Sequence, residues 1–312
     1  MAKKIRLGVV GLGHRGVAML ATVACFDSVA IAAVCDCNVA LIDPIREKYP
    51  DAAGFADFGE MLGSGLIDVL LVETPATNHA GFCAAALRKN IHVFSDIPSV
   101  ADLHEAKMLW ECAHPSRSLF MTGANPNMWG FVESMYDFHR QGLLGDLYYL
   151  EAEYIHDVQY LMKNTPWRRT LPPIKYCTHS LGPLQRLIAD DFRKVSCFTT
   201  GSWINRLPDE NDLMSANFRT ETGVVAHLTI SFFNNAGCGQ HSYRVFGTDG
   251  YFEHLSARGR EPARTAVKSK KLYGLQTLTE LPIAFQRPEY ADVPGGHGGA
   301  DYALLKAFLD AI

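Results

Sequence analysis

The stretch IRLGVVGLGHRG, residues 5–16, decides the fold. Its first half is an apolar run without polar interruption, which is typical of a strand covered on both faces of a sheet. Its second half carries a GxGxxG pattern and leads into RGVAMLATVAC, whose apolar residues have helical spacing. GxGxxG is a weak signal by itself, but it becomes specific when it joins a strand to a helix within a βαβ unit.

The alternation of strand and helix continues through the first 122 residues. SVAIAAVCD, IDVLLVETP and IHVFSD are further apolar runs with helical spacing between them. This pattern predicts an α/β fold, with an N-terminal Rossmann domain built on a doubly wound parallel sheet over residues 1–122. After a predicted helix near residues 128–141 the apolar residues alternate instead, as in LYYLEAEYIHD, with one helix around residues 181–188 and another at the end of the chain. We therefore expect residues 123–312 to form an α+β domain with a large, mostly antiparallel open sheet, for substrate binding and oligomerisation.

Composition excludes several kinds of partner. The chain has 312 residues, 48% of them hydrophobic, and a formal net charge of −4. The one basic run, residues 258–271, lacks interleaved aromatic residues, so we interpret it as a solvated loop and expect no nucleic-acid partner. Eight cysteines, Cys238 among them, form no CxxC pair, and the histidines are scattered, so neither a disulfide framework nor a metal site is predicted. No segment reaches the length of a membrane span, and we expect a cytoplasmic protein without a membrane partner.

The glycine loop predicts a dinucleotide site. Gly11 permits the tight turn, Gly13 lets the backbone approach a pyrophosphate, and Gly16 lets helix and strand pack closely. Asp36 ends the second strand 20 residues after Gly16, where its carboxylate can accept hydrogen bonds from the adenosine ribose hydroxyls and repel a 2′-phosphate. No arginine follows Asp36 directly, so we expect NAD; Arg15 is the one residue that could favour NADP instead.

The carboxyl ends of the parallel strands should form the rim of the cofactor crevice, because ligands bind there in doubly wound sheets. One of these ends is the turn Asp96-Ile97-Pro98, which we place near the nicotinamide. The predicted cofactor-binding residues are Gly11, Leu12, Gly13, His14, Arg15, Gly16, Asp36, Cys37, Thr74, Pro75, Asn78, His79, Asp96, Ile97, Pro98 and Asn125.

The chain resembles the Gfo/Idh/MocA family of sugar and inositol oxidoreductases over essentially its whole length. The resemblance rests on GLGHRG, on TPATNHAGFCAAALRKNIHVFSDIP, on GLLGDLYYLEAEY and on a histidine helix in the second domain. It implies a Glu-Lys-Pro turn whose lysine touches substrate and often assists proton transfer. Asp96 and Ile97 occupy the first two positions of that turn here. The proton relay that the family implies is therefore absent from its usual place.

The segment KYCTHSLGP, residues 175–183, offers a replacement base. Tyr176 and His179 are three positions apart and share a face if the segment is helical. Pro183 fits only near a helix start or at a kink, so His179 should lie close to a helix N-terminus, where the helix dipole favours a neutral imidazole. The family's histidine matches His179, whereas Lys175 stands where the family often has an aspartate.

The form Y-x-x-H-x-LGP also resembles a subgroup, the glycosidases of family 109. In these enzymes the sugar C3 hydroxyl is transiently oxidised by tightly held NAD⁺, and the glycosidic group is then eliminated. YIHD, with Tyr154 and His156, and GHGGADY, which starts at Gly296, extend the likeness, and Ile97 fits the subgroup's missing lysine. Ala124 stands where the subgroup carries a glutamate, which departs from the pattern.

We therefore predict an NAD-dependent oxidoreductase that acts on a ring hydroxyl of a sugar or cyclitol derivative. The predicted catalytic residues are His179 as base with Tyr176, Tyr154 and His156, and the predicted substrate contacts are Trp167, Arg168 and His297. Two alternatives stay open: a glycoside hydrolase or lyase that uses bound NAD⁺ without net redox change, and a non-catalytic cofactor-bound sensor. A homo-oligomer, dimer or tetramer, is expected because an open sheet face would expose apolar area.

Overall fold

Six parallel strands form the sheet of the first unit in the computed structural model, which describes residues 4–235, 237, 241–257, 261–290, 292–293 and 296–312. They are β1 (Ile5–Val10), β2 (Val29–Cys35), β3 (Ala53–Phe55), β4 (Val69–Val72), β5 (His92–Ser95) and β6 (Phe120–Thr122). Their spatial order is β3-β2-β1-β4-β5-β6, with the reversal of a doubly wound sheet between β1 and β4. The predicted Rossmann sheet is confirmed.

Helices connect these strands and cover both faces of the sheet. They are α1 (His14–Val23), α2 (Ile42–Lys48), α3 (Phe58–Gly63), α4 (His79–Leu87) and α5 (Leu103–Ala113). All four residues of β4 are inaccessible to solvent, which explains why its sequence is continuously apolar rather than alternating. In the described part of the chain, no helix combines the length and the apolar character that a membrane span needs.

The second unit, residues 126–285, is built on an eight-stranded sheet with α6 (Gly130–Arg140) and α7 (Thr178–Gln185). Its strands are β7 (Leu147–Ile155), β8 (Phe192–Thr199), β9 (Leu213–Thr220), β10 (Val225–Ser231), β11 (Tyr243–Gly247), β12 (Gly250–Leu255), β13 (Arg264–Ser269) and β14 (Thr279–Leu281). The spatial order is β14-β13-β12-β11-β7-β10-β9-β8. Of these pairs only β7 and β10 run parallel, so the predicted, mostly antiparallel sheet is confirmed.

The basic run is not the loop that its charges suggested. Residues 264–269 form β13, which pairs with β12 on one side and β14 on the other. Thr265, Ala266 and Val267 are buried, so pairing and burial of the intervening residues outweigh the charged composition. The interpretation as a solvated loop is wrong for this strand. Residues 258–260 of the run, like Cys238, lie outside the described residues.

The C-terminal segment corrects the domain boundary drawn from the sequence. Residues 286–312, which include α8 (Ala300–Asp310), belong to the first unit together with residues 1–125. Phe308 of α8 packs against Phe94 with 5.7 Å between ring centroids, and Tyr302 stacks on Phe26 at 4.5 Å. These contacts bury the apolar face of α8 against the first unit. The order of strand and helix patterns along the chain does not show which unit a final helix packs against.

Candidate functional site: a nucleotide loop and an imidazole–phenol cluster

The loop between β1 and α1 requires glycine at two positions and is open at a third. Gly11 has φ +95°, and a Cβ there would lie 2.7 Å from the backbone of Glu73. A Cβ on Gly16 would lie 1.9 Å from the carbonyl oxygen of Gly11. At Gly13, in contrast, no heavy atom of the described residues comes within 4 Å of the Cβ position. The loop is thus closely packed at Gly11 and Gly16 but open at Gly13, beside the N-terminus of α1. This opening fits a pyrophosphate.

Asp36 is fixed at the end of β2 by the backbone. Its Oδ2 accepts a hydrogen bond from the Leu12 amide at 2.7 Å, and its Oδ1 accepts one from the Asn38 amide at 2.8 Å. Each carboxylate oxygen has a second lone pair, so the group can still accept hydrogen bonds from ribose hydroxyls. The neighbouring His14 and Cys37 are exposed. The residues of the loop and of the β2 end therefore fit the adenosine half of NAD.

Arg15 is held by three carboxylates, which together with it we call the ionic cluster: Arg15, Glu73, Asp96 and Asp301. Its Nη1 and Nη2 donate to Asp301 Oδ2 and Oδ1 at 2.7 and 3.0 Å, a bidentate fork. Its Nε donates to Asp96 Oδ2 at 3.2 Å and lies 3.8 Å from Glu73 Oε2. The one side chain that could have favoured NADP is thus committed to carboxylates of its own unit.

The acids of the ionic cluster differ in their affinity for a proton. Burial alone would raise the pKa of Asp301, but hydrogen bonds from His297 and Arg15 outweigh it and hold that pKa well below its usual value. Burial raises the pKa of Glu73 well above its usual value, and the charge of Asp96 adds to this effect. Among the described residues neither oxygen of Glu73 has a hydrogen-bond partner. Glu73 is therefore the acid of the cluster that most readily holds a proton.

Two further predicted residues reach the cluster through Asp301. His297 Nδ1 lies 3.1 Å from Asp301 Oδ2, and Asn125 Nδ2 donates to Asp301 Oδ1 at 3.3 Å. Asn125 is buried, whereas the side chain of His297 is 48% exposed. Asp301 is thus surrounded by donors on both of its oxygens.

His79 joins the turns that follow β4 and β5. Its Nε2 lies 2.7 Å from the Thr74 carbonyl oxygen and its Nδ1 lies 2.9 Å from that of Pro98. The ring is 2% exposed, so its contacts hold the two turns together rather than reach outward. Ile97 is also buried, at 4% exposure, and contributes no polar group. The remaining predicted residues of these turns, Pro75 and Asn78, are exposed.

The four predicted catalytic residues lie together in the second unit, and we call them the imidazole–phenol cluster: Tyr154, His156, Tyr176 and His179. The His179 ring centroid is 4.8 Å from that of Tyr176 and 5.6 Å from that of Tyr154. The Tyr154 hydroxyl is 2.9 Å from His156 Nδ1. Burial, with the nearby Tyr176 adding to it, raises the pKa of Tyr154 well above its usual value, so this residue stays a neutral phenol.

Pro183 explains how the backbone of His179 is held. His179 is the second residue of α7, and Pro183 lies inside the helix instead of at its start. Proline has no N–H, so the hydrogen bond that residue 183 would donate to the carbonyl of residue 179 cannot form. The buried Tyr243 hydroxyl donates to that carbonyl oxygen instead, at 2.7 Å. His179 therefore sits in the first turn of α7, as predicted, with its carbonyl satisfied from the neighbouring sheet.

Trp167 and Arg168 lie beside this cluster. Both belong to the short 3₁₀ segment Pro166–Thr170, and the Arg168 guanidinium lies 4.5 Å from the centre of the Trp167 ring. Trp167 packs against the buried group that contains Tyr154. Arg168 also lowers the pKa of Tyr154, although less than burial raises it.

Sequence reasoning missed four residues that the structure brings to these clusters. Glu73 and Asp301 complete the ionic cluster, Tyr243 holds His179, and the His241 ring lies 4.7 Å from that of Tyr154. The spacing of four between His297 and Asp301 was a usable signal for Asp301. The other three lie far along the chain from their contacts and carry no motif.

Two family models match the chain. The model described as an oxidoreductase family with an NAD-binding Rossmann fold matches residues 5–124, and the GFO/IDH/MocA C-terminal domain matches residues 132–253. The chain belongs to the Gfo/Idh/MocA family. Residues 5–124, which contain the parallel sheet, are thus the NAD-binding domain of this oxidoreductase family. The open glycine loop and the position of Asp36 agree with that assignment.

Relatives of this Gfo/Idh/MocA chain carry two kinds of name. It is 27% identical to an alpha-N-acetylgalactosaminidase of Shewanella oneidensis, with 96% of this chain and 75% of that protein covered. It is 23% identical to glycosyl hydrolase family 109 protein 2 of Akkermansia muciniphila, with 99% and 75% covered. Among solved structures, an inositol dehydrogenase homologue of Azotobacter vinelandii with NADH and myo-inositol has a TM-score of 0.80 at 19% identity, covering 99% of this chain and 85% of that one.

Proposed function

We propose that the protein catalyses NAD-dependent oxidation of a ring hydroxyl in a sugar or cyclitol derivative, with His179 as the base. The observation that carries this proposal is the grouping of a buried imidazole with two phenols in the imidazole–phenol cluster. The family's lysine position holds Ile97, which can neither donate nor accept a proton, so the base has to come from elsewhere in the chain.

Oxidation of a carbinol requires removal of the hydroxyl proton as the hydride departs. NAD⁺, when bound by the glycine loop and Asp36, supplies the hydride acceptor. His179 lies in the first turn of α7, where the positive end of the helix dipole disfavours a positive charge on the imidazole. This position therefore favours the neutral ring that a base requires. Burial keeps Tyr154 protonated. When His156 carries its proton on Nδ1 and donates it to the phenol oxygen 2.9 Å away, the Tyr154 hydroxyl can donate its own hydrogen to a substrate oxygen.

The first experiment identifies the cofactor and the net reaction. We expect that heat denaturation of freshly purified protein at neutral pH releases NAD(H) rather than NADP(H), because Asp36 disfavours a 2′-phosphate and Arg15 is bound to carboxylates. The protein is then mixed with NAD⁺ and a panel of sugars and cyclitols, and absorbance of the reduced nicotinamide is followed. Absence of turnover with every member, combined with aglycone release from none of the matching glycosides, would overturn the proposal.

Replacement of His179 tests the assignment of the base. We expect His179→Ala to lower kcat by about 10²- to 10⁴-fold, the usual contribution of general acid–base catalysis, while the affinity for NAD⁺ stays unchanged. The control is His227→Ala on β10, which removes a partly buried imidazole engaged by Asn217 in the same unit and should keep wild-type kcat. Equal kcat in wild type and His179→Ala would exclude His179 as the base; loss of turnover would exclude the sensor alternative.

A second candidate, redox-neutral cleavage of a glycoside, is favoured by the relatives named as family 109 glycosidases. Oxidation of one ring carbon acidifies the C–H bond beside it, so that the glycosidic oxygen can leave; water then adds and the ketone is reduced again. Release of p-nitrophenol from a nitrophenyl glycoside without accumulation of NADH would select this candidate. Stoichiometric NADH from the free sugar would select the dehydrogenase.

A further inference from the structure

We propose that His297 is a second substrate-contacting imidazole, which accepts a hydrogen bond from a ligand hydroxyl on Nε2 and whose tautomer is fixed by Asp301. The identification of the ligand as a sugar or cyclitol rests on the proposed function. Asp301 and Arg15 are positioning residues for this imidazole. The ligand class follows from the chemistry of a bare ring nitrogen, which binds a hydroxyl donor and gives no hydrogen bond to an ether or carbonyl oxygen.

The hydrogen bond to Asp301 decides which ring nitrogen carries the proton. Asp301 Oδ2 lies 3.1 Å from His297 Nδ1, and an ionised carboxylate can only accept. A neutral His297 must therefore hold its proton on Nδ1 and leave Nε2 as an acceptor. The same logic fixes imidazoles oriented by a buried carboxylate in other enzymes.

Asp301 is kept ionised and immobile by its surroundings. Its side chain is 2% exposed, and the Arg15 fork contacts both of its oxygens. Asn125 adds a third donor at 3.3 Å. A carboxylate that receives several hydrogen bonds, two of them from a guanidinium, strongly prefers the charged form. Asp301 is thus a fixed acceptor, not a group that shares its proton with His297.

The position of His297 relates it to the ligand edge of the first sheet. Arg15, which holds Asp301, is part of the GxGxxG loop, and it also binds Asp96 directly after β5. The GxGxxG loop follows the carboxyl end of β1, and Asp96 follows the carboxyl end of β5. Doubly wound sheets bind their ligands at these strand ends. The side chain of His297 is 48% exposed, and its Nε2 has no hydrogen-bond partner among the described residues. Nε2 is therefore the ring nitrogen that can accept a hydrogen bond from a ligand.

The tautomer can be tested without any reaction. In NAD-loaded protein labelled with ¹⁵N-histidine, with the His297 signals assigned by their loss in His297→Gln, we expect the Nδ1-protonated form. Asp301→Asn should convert it to the Nε2-protonated form, because the asparagine amide then donates to Nδ1. An Nε2-protonated ring in the wild type, or the same tautomer in both proteins, would overturn the proposal.

Two substitutions of His297 separate contact with substrate from a structural role. In His297→Asn, the amide nitrogen lies near the position of Nδ1 and can still donate to Asp301, but no atom occupies the position of Nε2. In His297→Gln, the longer side chain can place its amide oxygen, an acceptor, at the position of Nε2. For a panel sugar that is oxidised, we expect KM to rise at least tenfold in His297→Asn and less in His297→Gln, with kcat changed less than about threefold. Equal KM values in all three proteins would overturn the contact.

Failure of the proposed function gives a different pattern. If no sugar or cyclitol of the panel is turned over, each is added to the NAD-loaded, ¹⁵N-histidine-labelled protein, and the His297 Nε2 resonance is followed. A shift with at least one of them, absent in Asp301→Asn, supports the ligand contact despite the missing turnover. No shift with any of them rejects it, even if the tautomer is the expected one.

Discussion

The ionic cluster of the first unit and the imidazole–phenol cluster of the second both combine buried and half-buried polar side chains, but they are stabilised in different ways. In the first, the guanidinium of Arg15 pairs with the carboxylates of Asp96 and Asp301, and each of these charges depends on its partner for compensation. In the second, aromatic rings pack against one another, and burial raises the pKa of the Tyr154 phenol, so that this hydroxyl keeps its proton. The difference teaches that charge pairing holds the first cluster together, whereas packing of aromatic rings holds the second, which is the one proposed for proton transfer.

The largest expected effect comes from removal of the central charge. Arg15→Met leaves Asp301 and Asp96 without their cation, so we expect the free energy of unfolding to fall by about 3 kcal/mol, as when one partner of a buried ion pair is deleted. Urea denaturation followed by circular dichroism measures this. Arg15→Lys, which keeps the charge but loses the bidentate fork, should lose clearly less. A loss below about 1 kcal/mol in Arg15→Met would show that the cluster is not held by charge.

A smaller effect should follow from the single hydroxyl that holds His179. Tyr243→Phe removes the donor that replaces the hydrogen bond blocked by Pro183, and we expect a loss of about 1–3 kcal/mol in stability. Because the His179 imidazole then shifts, kcat should fall while KM changes little. Tyr251→Phe is the matched control, since it removes a phenol hydroxyl bound to Glu253 in the same sheet. Equal kcat losses in both variants would contradict a specific role of Tyr243.

The smallest effect concerns the pH dependence of stability. The pKa of Glu73 is raised in the folded protein above its ordinary value of 4.5, so the folded state binds this proton more tightly than the unfolded state. Ionisation of Glu73 therefore lowers stability as pH rises from about 4.5 towards the folded pKa. Glu73→Gln should remove this part of the decline and be relatively more stable near pH 8.

Unfolding by urea at several values between about pH 5 and pH 8 tests this prediction. The control is Glu47→Gln, which alters an exposed carboxylate and should keep the wild-type pH profile. Parallel profiles for wild type and Glu73→Gln would show that Glu73 is ionised in both states.

Much of the fold was predictable because local periodicity and turn chemistry carry it. The continuous apolar runs indicated strands buried on both faces, and the strict alternation in LYYLEAEYI indicated β7 with one buried face. The basic strand β13 and the placement of α8 were not predictable in this way. In both cases a tertiary contact overrides the local signal: pairing with β12 and β14 for the strand, and the Phe94–Phe308 contact for the helix.

For the candidate sites, motifs revealed the residues that are proposed to contact a ligand and not the residues that hold them in place. His179 and Tyr176 share one short segment, and Asp36 lies at a fixed distance from the glycine loop, so spacing was enough to find them. Tyr243 lies 64 positions from the carbonyl that it binds. A contact between such distant residues leaves no local pattern, since its geometry is set by the sheet.

The sequence by itself determined the dinucleotide loop and the alternation that builds the parallel sheet, because each depends on neighbours a few positions apart. The resemblance to the family added that Ile97 stands at the position of the family's lysine. Only the tertiary structure decided that Arg15 faces carboxylates instead of a phosphate, and that Glu73 is buried with no hydrogen-bond partner among the residues that the structure describes. It also decided that the Tyr243 hydroxyl binds the His179 carbonyl, to which Pro183 cannot donate. Those outcomes depend on charge compensation and desolvation among residues that meet only after the chain has folded.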